Sequence, residues 1–89
     1  MWGLSDAELA RRCQAGDVEA FEPLLQRHQE MVLNLCFQLT GSTEEAQDAA
    51  QEAFVLVYET IGRLRKPEAF RAYLLRTAMR LCWRSALAS

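Results

Sequence analysis

Residues 41–62 read GSTEEAQDAAQEAFVLVYETIG. Ser42 and Glu45 stand at the spacing of a capping box, in which the serine oxygen and the glutamate side chain each satisfy a backbone N–H that the helix start leaves unpaired. Acids crowd the first turn, where the helix dipole favours negative charge, and Gly62 supplies a stop. The spacing predicts a helix over 43–61. With each residue turning about 100°, Ala46, Ala50, Ala53, Phe54, Val57 and Ile61 share one face, which is the core face. Asp48, Gln51, Glu52, Val55 and Glu59 share the opposite one. Three carboxylates and an amide around an exposed valine form an acidic patch with an apolar centre. An ordinary solvated face has the same charges; Val55 is what points to a protein partner, because interfaces are built with apolar centres and polar rims.

The same grammar extends in both directions. Ser5 with Glu8 forms another capping box and Gly16 a left-handed stop, giving a first helix over about 6–15. Asp17 is placed to cap a second helix reaching about residue 40, with Pro23 near its start, where a missing N–H costs least, or else kinking it. Phe21, Leu24, Leu25, Val32, Leu35, Cys36 and Leu39 keep helical spacing along it, and Gly41 ends it. Downstream, a loop reading RLRK leads to Pro67, a good first-turn residue for a fourth helix running to about Leu87. No strand pattern intervenes. Short connections between helices predict an all-α fold, a compact four-helix bundle.

Composition sets limits on function. Eighty-nine residues, 51% hydrophobic and 25% charged with four glycines and two prolines, describe one globular domain too small for a deep catalytic pocket. The start MWGLSDAELARR lacks the pattern of a secretory signal and no long apolar run occurs, so a cytoplasmic protein without a membrane partner is expected. Cys13, Cys36 and Cys82 are odd in number and form no CxxC pair, which reads as reduced thiols in the core. His28, the one histidine, lies on the inner side of the second helix's pattern and reads as a core or boundary residue. The acids of residues 43–61 have no histidine or cysteine motif beside them and no glycine-rich phosphate loop exists. No enzyme, metal, cofactor or small-molecule substrate is therefore expected.

Charge is strongly segregated. Residues 1–60 carry three Lys/Arg and eleven Asp/Glu, whereas residues 61–89 carry seven and one. Such polarity in a small domain points to two surfaces with different partners. The predicted fourth helix buries Phe70, Leu74, Leu75, Ala78, Leu81 and Cys82, with Met79 at the border. Its other side stacks Arg76, Arg80 and Arg84 at intervals of four, with Tyr73 and Thr77 among them and Arg71 near the start. Like charges at that spacing repel by a few tenths of a kcal/mol per pair, so the helix is suited to meeting an anion. Arginine binds phosphates bidentately and stacks on bases, Tyr73 or Trp83 offers a further stacking surface, and Arg63, Arg65 and Lys66 lie in a loop free to adapt. This face reads as binding nucleic acid.

The stretches SDAELARRCQAGDVEAFEPLLQRHQ, LTGSTEEAQDAAQEAFVLVYETIGRL and AFRAYLLRTAMRLC together resemble region 2 of bacterial sigma factors of the extracytoplasmic-function (ECF) group. The resemblance covers almost the whole chain, and its most specific part is Asp48, Gln51, Glu52 and Phe54, which match the family's D-x-x-Q-E-x-F segment. It implies a compact helical domain over 1–89. It also implies that Asp48, Gln51 and Glu52, with Val55 and Glu59 on the same face, dock on the clamp helices of the RNA polymerase β′ subunit. The loop from Gly62 to Ala69 and the following helix would recognise the non-template strand of the promoter minus-ten element, helping to open the duplex and holding an unstacked base in a pocket. Many relatives carry W-L where this chain has Tyr73-Leu74, and Asn and Asp where it has Arg80 and Arg84, so base preference does not transfer. No counterpart of the family's C-terminal region 4 is expected within the sequence. An alternative reading is a sigma-like interaction module, whose two surfaces are covered by an anti-sigma factor or other regulator without reading DNA.

Overall fold

The computed structural model describes residues 2–88, with side chains described through Arg84. Four α-helices form, α1 (Asp6–Gln14), α2 (Phe21–Thr40), α3 (Thr43–Thr60) and α4 (Phe70–Ala88), with 3-10 turns at Val18–Ala20, Ile61–Arg63 and Pro67–Ala69. Among the described residues there is no strand. At α1 the capping box is complete: the Ser5 hydroxyl accepts from the Glu8 N–H at 3.1 Å, and Glu8 Oε1 accepts from the Ser5 N–H at 3.2 Å. These bonds, with Arg11 and Arg12 nearby, hold the Glu8 carboxyl below its ordinary range. Gly16 and Gly41 take up the left-handed backbone, at φ 100° and 71°, that lets the chain leave α1 and α2.

Three local expectations are corrected. Asp17 makes no side-chain cap bond, and the residues after it form a 3-10 turn. Pro23 has no N–H to give the Glu19 carbonyl, so the α-helical ladder cannot extend back through it and the preceding turn tightens. At α3 only half a capping box exists: the Ser42 hydroxyl accepts from the Glu45 N–H at 3.3 Å, while Thr40 Oγ1 takes the Ser42 N–H that Glu45 would have bonded. Gly62 does not terminate α3 in a left-handed conformation; the helix ends at Thr60 and tightens into the turn that contains Gly62.

Helices α2, α3 and α4 pack pairwise on one another, and α1 lies across α2 and against both turns that flank the basic loop. The centre holds Leu9, Leu24, Val32, Val57, Phe70 and Leu74, all fully buried. α3 contributes mainly small side chains there, Ala46, Ala49, Ala50 and Ala53, which allow its neighbours to approach closely. Asp6 ties α1 to α2 by accepting from Arg27 at 3.0 Å while its other oxygen meets His28 Nε2 at 2.7 Å. The buried His28 ring also tilts against Phe70, with centroids 5.9 Å apart. Cys36 and Cys82 meet in the core between α2 and α4, where burial and the neighbouring Cys82 thiol push the Cys36 pKa up to about 12.

Candidate functional site

The capped start of α3 fixes the rotation of that helix, and its alanine-rich face turns inward. Asp48, Gln51, Glu52, Val55 and Glu59 are consequently all exposed, with Val55 at 51%. Gln51 and Val55 extend into a groove of about 690 Å3 between α2 and α3, lined also by Leu25, Leu33, Ala50 and Phe54. Sequence periodicity identified the outward face but not this apolar groove, which depends on how far two helix flanks diverge.

The other flank of α3 faces α4. Leu56 and Thr60 from α3, with Tyr73, Thr77, Arg80, Leu81 and Arg84 from α4, line a cleft of about 250 Å3. The Tyr73 hydroxyl bonds that of Thr60 across it, which fixes the tyrosine ring at the cleft wall. Thr77 departs from the expected exposed face: it is 8% accessible, and its hydroxyl donates to the Tyr73 carbonyl at 2.9 Å. A threonine hydroxyl one helical turn after a carbonyl is well placed for that local bond, so Thr77 forms part of the cleft floor and its hydroxyl is already engaged.

The remaining basic residues divide. Arg80 and Arg84 border the cleft, and Arg76 is exposed one turn before Arg80. Arg63, Arg65 and Lys66 are exposed on the loop between α3 and α4. Arg71 is exposed as well, but its guanidinium leans to α2 and donates to Met31 Sδ at 3.2 Å. Trp83 is 52% accessible. Among the described residues, ion pairs join Arg11 to Glu68 and Arg27 to Asp6, whose other oxygen hydrogen-bonds His28. None involves the basic loop, Arg76, Arg80 or Arg84, nor the carboxylates of Asp48, Glu52 or Glu59. Two adjoining surfaces of opposite sign thus carry charge that the domain does not neutralise internally.

Thr60 and Leu56 were not singled out from the sequence. Both look like ordinary surface positions until α4 is packed beside them. Among the described residues no group of three His, Cys, Asp or Glu side chains is arranged to hold a metal ion, and no helix is long and apolar enough to cross a membrane.

The sigma-70 region 2 family matches residues 24–87, which takes in most of α2, all of α3, nearly all of α4 and both surfaces. The chain belongs to that family, in its ECF group. This region 2 domain is similar to the RNA polymerase sigma-H factor of Pseudomonas aeruginosa, with 39% identity over 83% of this chain and 38% of that protein. It is also similar to the ECF RNA polymerase sigma factor SigW of Bacillus subtilis, with 31% identity over 80% of this chain and 38% of that protein. A solved structure of an engineered region 2 of sigmaE in complex with GTAAAA matches with a TM-score of 0.86 and 30% identity, covering 96% of this chain and 88% of that one. The region 2 domain here therefore spans under half the length of these curated relatives, and nearly all of the solved domain.

Proposed function

We propose that this region 2 domain serves transcription initiation by joining RNA polymerase to the non-template strand of the promoter minus-ten element. The exposed face of α3 docks on the β′ clamp helices through Asp48, Gln51 and Glu52, with Val55 at the apolar centre and Glu59 at the rim. The loop residues Arg63, Arg65 and Lys66 hold the strand's phosphates, with Arg71 and Arg76 adding positive charge to its path. One unstacked base enters the cleft between Thr60, Tyr73 and Arg80, with Arg84 at its edge. The observation that carries this reading is that cleft, a cavity of about 250 Å3 bordered by two arginines that have no internal ion-pair partner among the described residues. Its chemistry suits a single strand: an unstacked base exposes edges and faces that a duplex hides, and guanidinium groups both donate to base edges and stack on them. Phosphate contacts would position the strand without specifying it, leaving selectivity to the cleft. The likeness to a sigmaE region 2 in complex with GTAAAA supports the same assignment.

A second reading has one observation in its favour. The groove beside Val55 joins apolar side chains, Leu25, Leu33 and Phe54, to the polar Gln29, Glu30, Gln47 and Gln51, a mixture that suits the amphipathic helix of a regulator such as an anti-sigma factor. The two readings separate experimentally. Titration of core polymerase or isolated clamp helices should give binding that Asp48→Arg and Glu52→Arg weaken; no such binding refutes the docking assignment. Arg76→Glu combined with Arg80→Glu should abolish single-strand binding at low salt, and a wild-type domain with no such binding leaves only the regulator reading.

A further inference from the structure

Helix α3 ends at Thr60, and its last carbonyls have no partner further along the helix. Two carbonyls of the following turn are instead met from a distant element. Gln14, the final residue of α1, donates from Nε2 to the Ile61 carbonyl at 3.0 Å and to the Leu64 carbonyl at 2.7 Å. One planar amide nitrogen thus uses both its hydrogens to bracket the turn, across 47 and 50 residues of sequence. The Leu64 N–H itself returns to the Ile61 carbonyl at 3.1 Å, so Gln14 closes a small network that sets where the chain leaves α3. α1 also packs against the turns on either side of the loop, but its other polar side-chain link there among the described residues is weak: Arg11 lies 3.8 Å from Glu68, and both side chains are largely exposed.

We infer that Gln14 is a positioning residue for strand recognition, holding the basic loop in the shape that receives the nucleic acid although it touches none itself. The inference rests on the strand-binding reading above. Arg63, Arg65 and Lys66 each lie within two residues of at least one of the bracketed carbonyls, and Thr60, on the cleft wall, adjoins the other end of the turn at Ile61. Without the amide, water satisfies the carbonyls and the loop samples more conformations, so a bound strand must order it at an entropic cost. Recognition then depends on α1, which carries none of the basic charge of the binding face.

The test compares wild type with Gln14→Leu, Gln14→Glu and Gln14→Lys. Leucine removes the amide, glutamate keeps the shape but has no N–H to donate, and lysine restores a donor. Each is measured against a randomised pool of single-stranded hexamers, together with hydrogen exchange at the Leu64 amide and the thermal midpoint. The expected result is a loss of about tenfold in affinity for the wild type's preferred hexamers in the leucine and glutamate variants, the scale of one or two net hydrogen bonds. Exchange at Leu64 accelerates in both, and lysine recovers most of the selectivity. Unchanged hexamer selectivity in Gln14→Leu overturns the inference while strand binding by the wild type stands. An equal acceleration of exchange at Val32 in the core also overturns it, since Gln14 would then act on stability alone. A wild type that binds no single strand overturns both the inference and the reading beneath it.

Discussion

At the scale of single residues, titration exposes what burial does. Cys36 is fully buried beside Cys82, and its pKa is pushed up to about 12 from an ordinary 9.0, so the folded state keeps a proton that the unfolded chain releases. Stability from this group is complete below about pH 9 and is lost as pH rises toward 12. The urea midpoint should fall from pH 8 to pH 10.5, and Cys36→Ala should flatten that fall. Cys13 is half-buried, and a thiol reagent should label it well before Cys36 or Cys82; equal labelling rates would contradict the buried pair. Glu8 behaves oppositely. Its depressed pKa means that its contribution is present above about pH 4.5 and is lost as pH falls through the folded value, so Ser5→Ala, which removes the hydroxyl's share of that shift, should flatten the acid-side fall of the stability profile. Loss of that cap should itself cost about 1 kcal/mol at neutral pH by urea unfolding.

At the scale of helices, much of α3 was readable because its two faces differ in both size and charge. The alanines, Phe54 and Val57 repeat with the helical period, and all are buried as that period requires. Capping residues placed the starts of α1 and α3 for the same reason, since Ser5 and Ser42 act within their own turn. What failed was the detail that depends on competition or on other helices. Thr40 displaced Glu45 from the second capping box, and Pro23 turned an expected helical start into a tighter turn. The cleft wall at Leu56 and Thr60 and the bond from Gln14 exist only through packing against elements distant in sequence, which no local pattern encodes. Thr77 shows how that changes a prediction. Read as exposed, it would contact DNA; with its hydroxyl on the Tyr73 carbonyl, Thr77→Val should leave strand affinity within about twofold, a small effect beside the loss of a phosphate contact. Arg65→Ala, by contrast, removes a proposed phosphate contact from the exposed loop and should lower both affinity and the salt dependence of binding, reducing the slope of log K against log salt by about 0.7.

At the scale of the whole molecule, the three long helices share one core while their outward surfaces remain electrostatically distinct. Leu74 is fully buried on α4, and Leu74→Ala should cost about 2–5 kcal/mol in a thermal or urea melt, a large part of what a domain this size possesses. Asp48→Arg and Glu52→Arg lie on the exposed face of α3 and should change folding stability by less than about 0.5 kcal/mol, so a loss of polymerase binding in these variants reports on the interface rather than on the fold. Under the proposed reading, docking through α3 would leave the loop and α4 available to a strand, so the domain could engage both partners at once. The most direct measurement is the affinity of the domain for a randomised pool of single-stranded oligonucleotides across a salt series, with and without the β′ clamp-helix fragment. Selective binding that the fragment strengthens, and that Arg80→Glu removes, is the predicted result. Binding to the fragment with no strand selectivity at any salt concentration would contradict it.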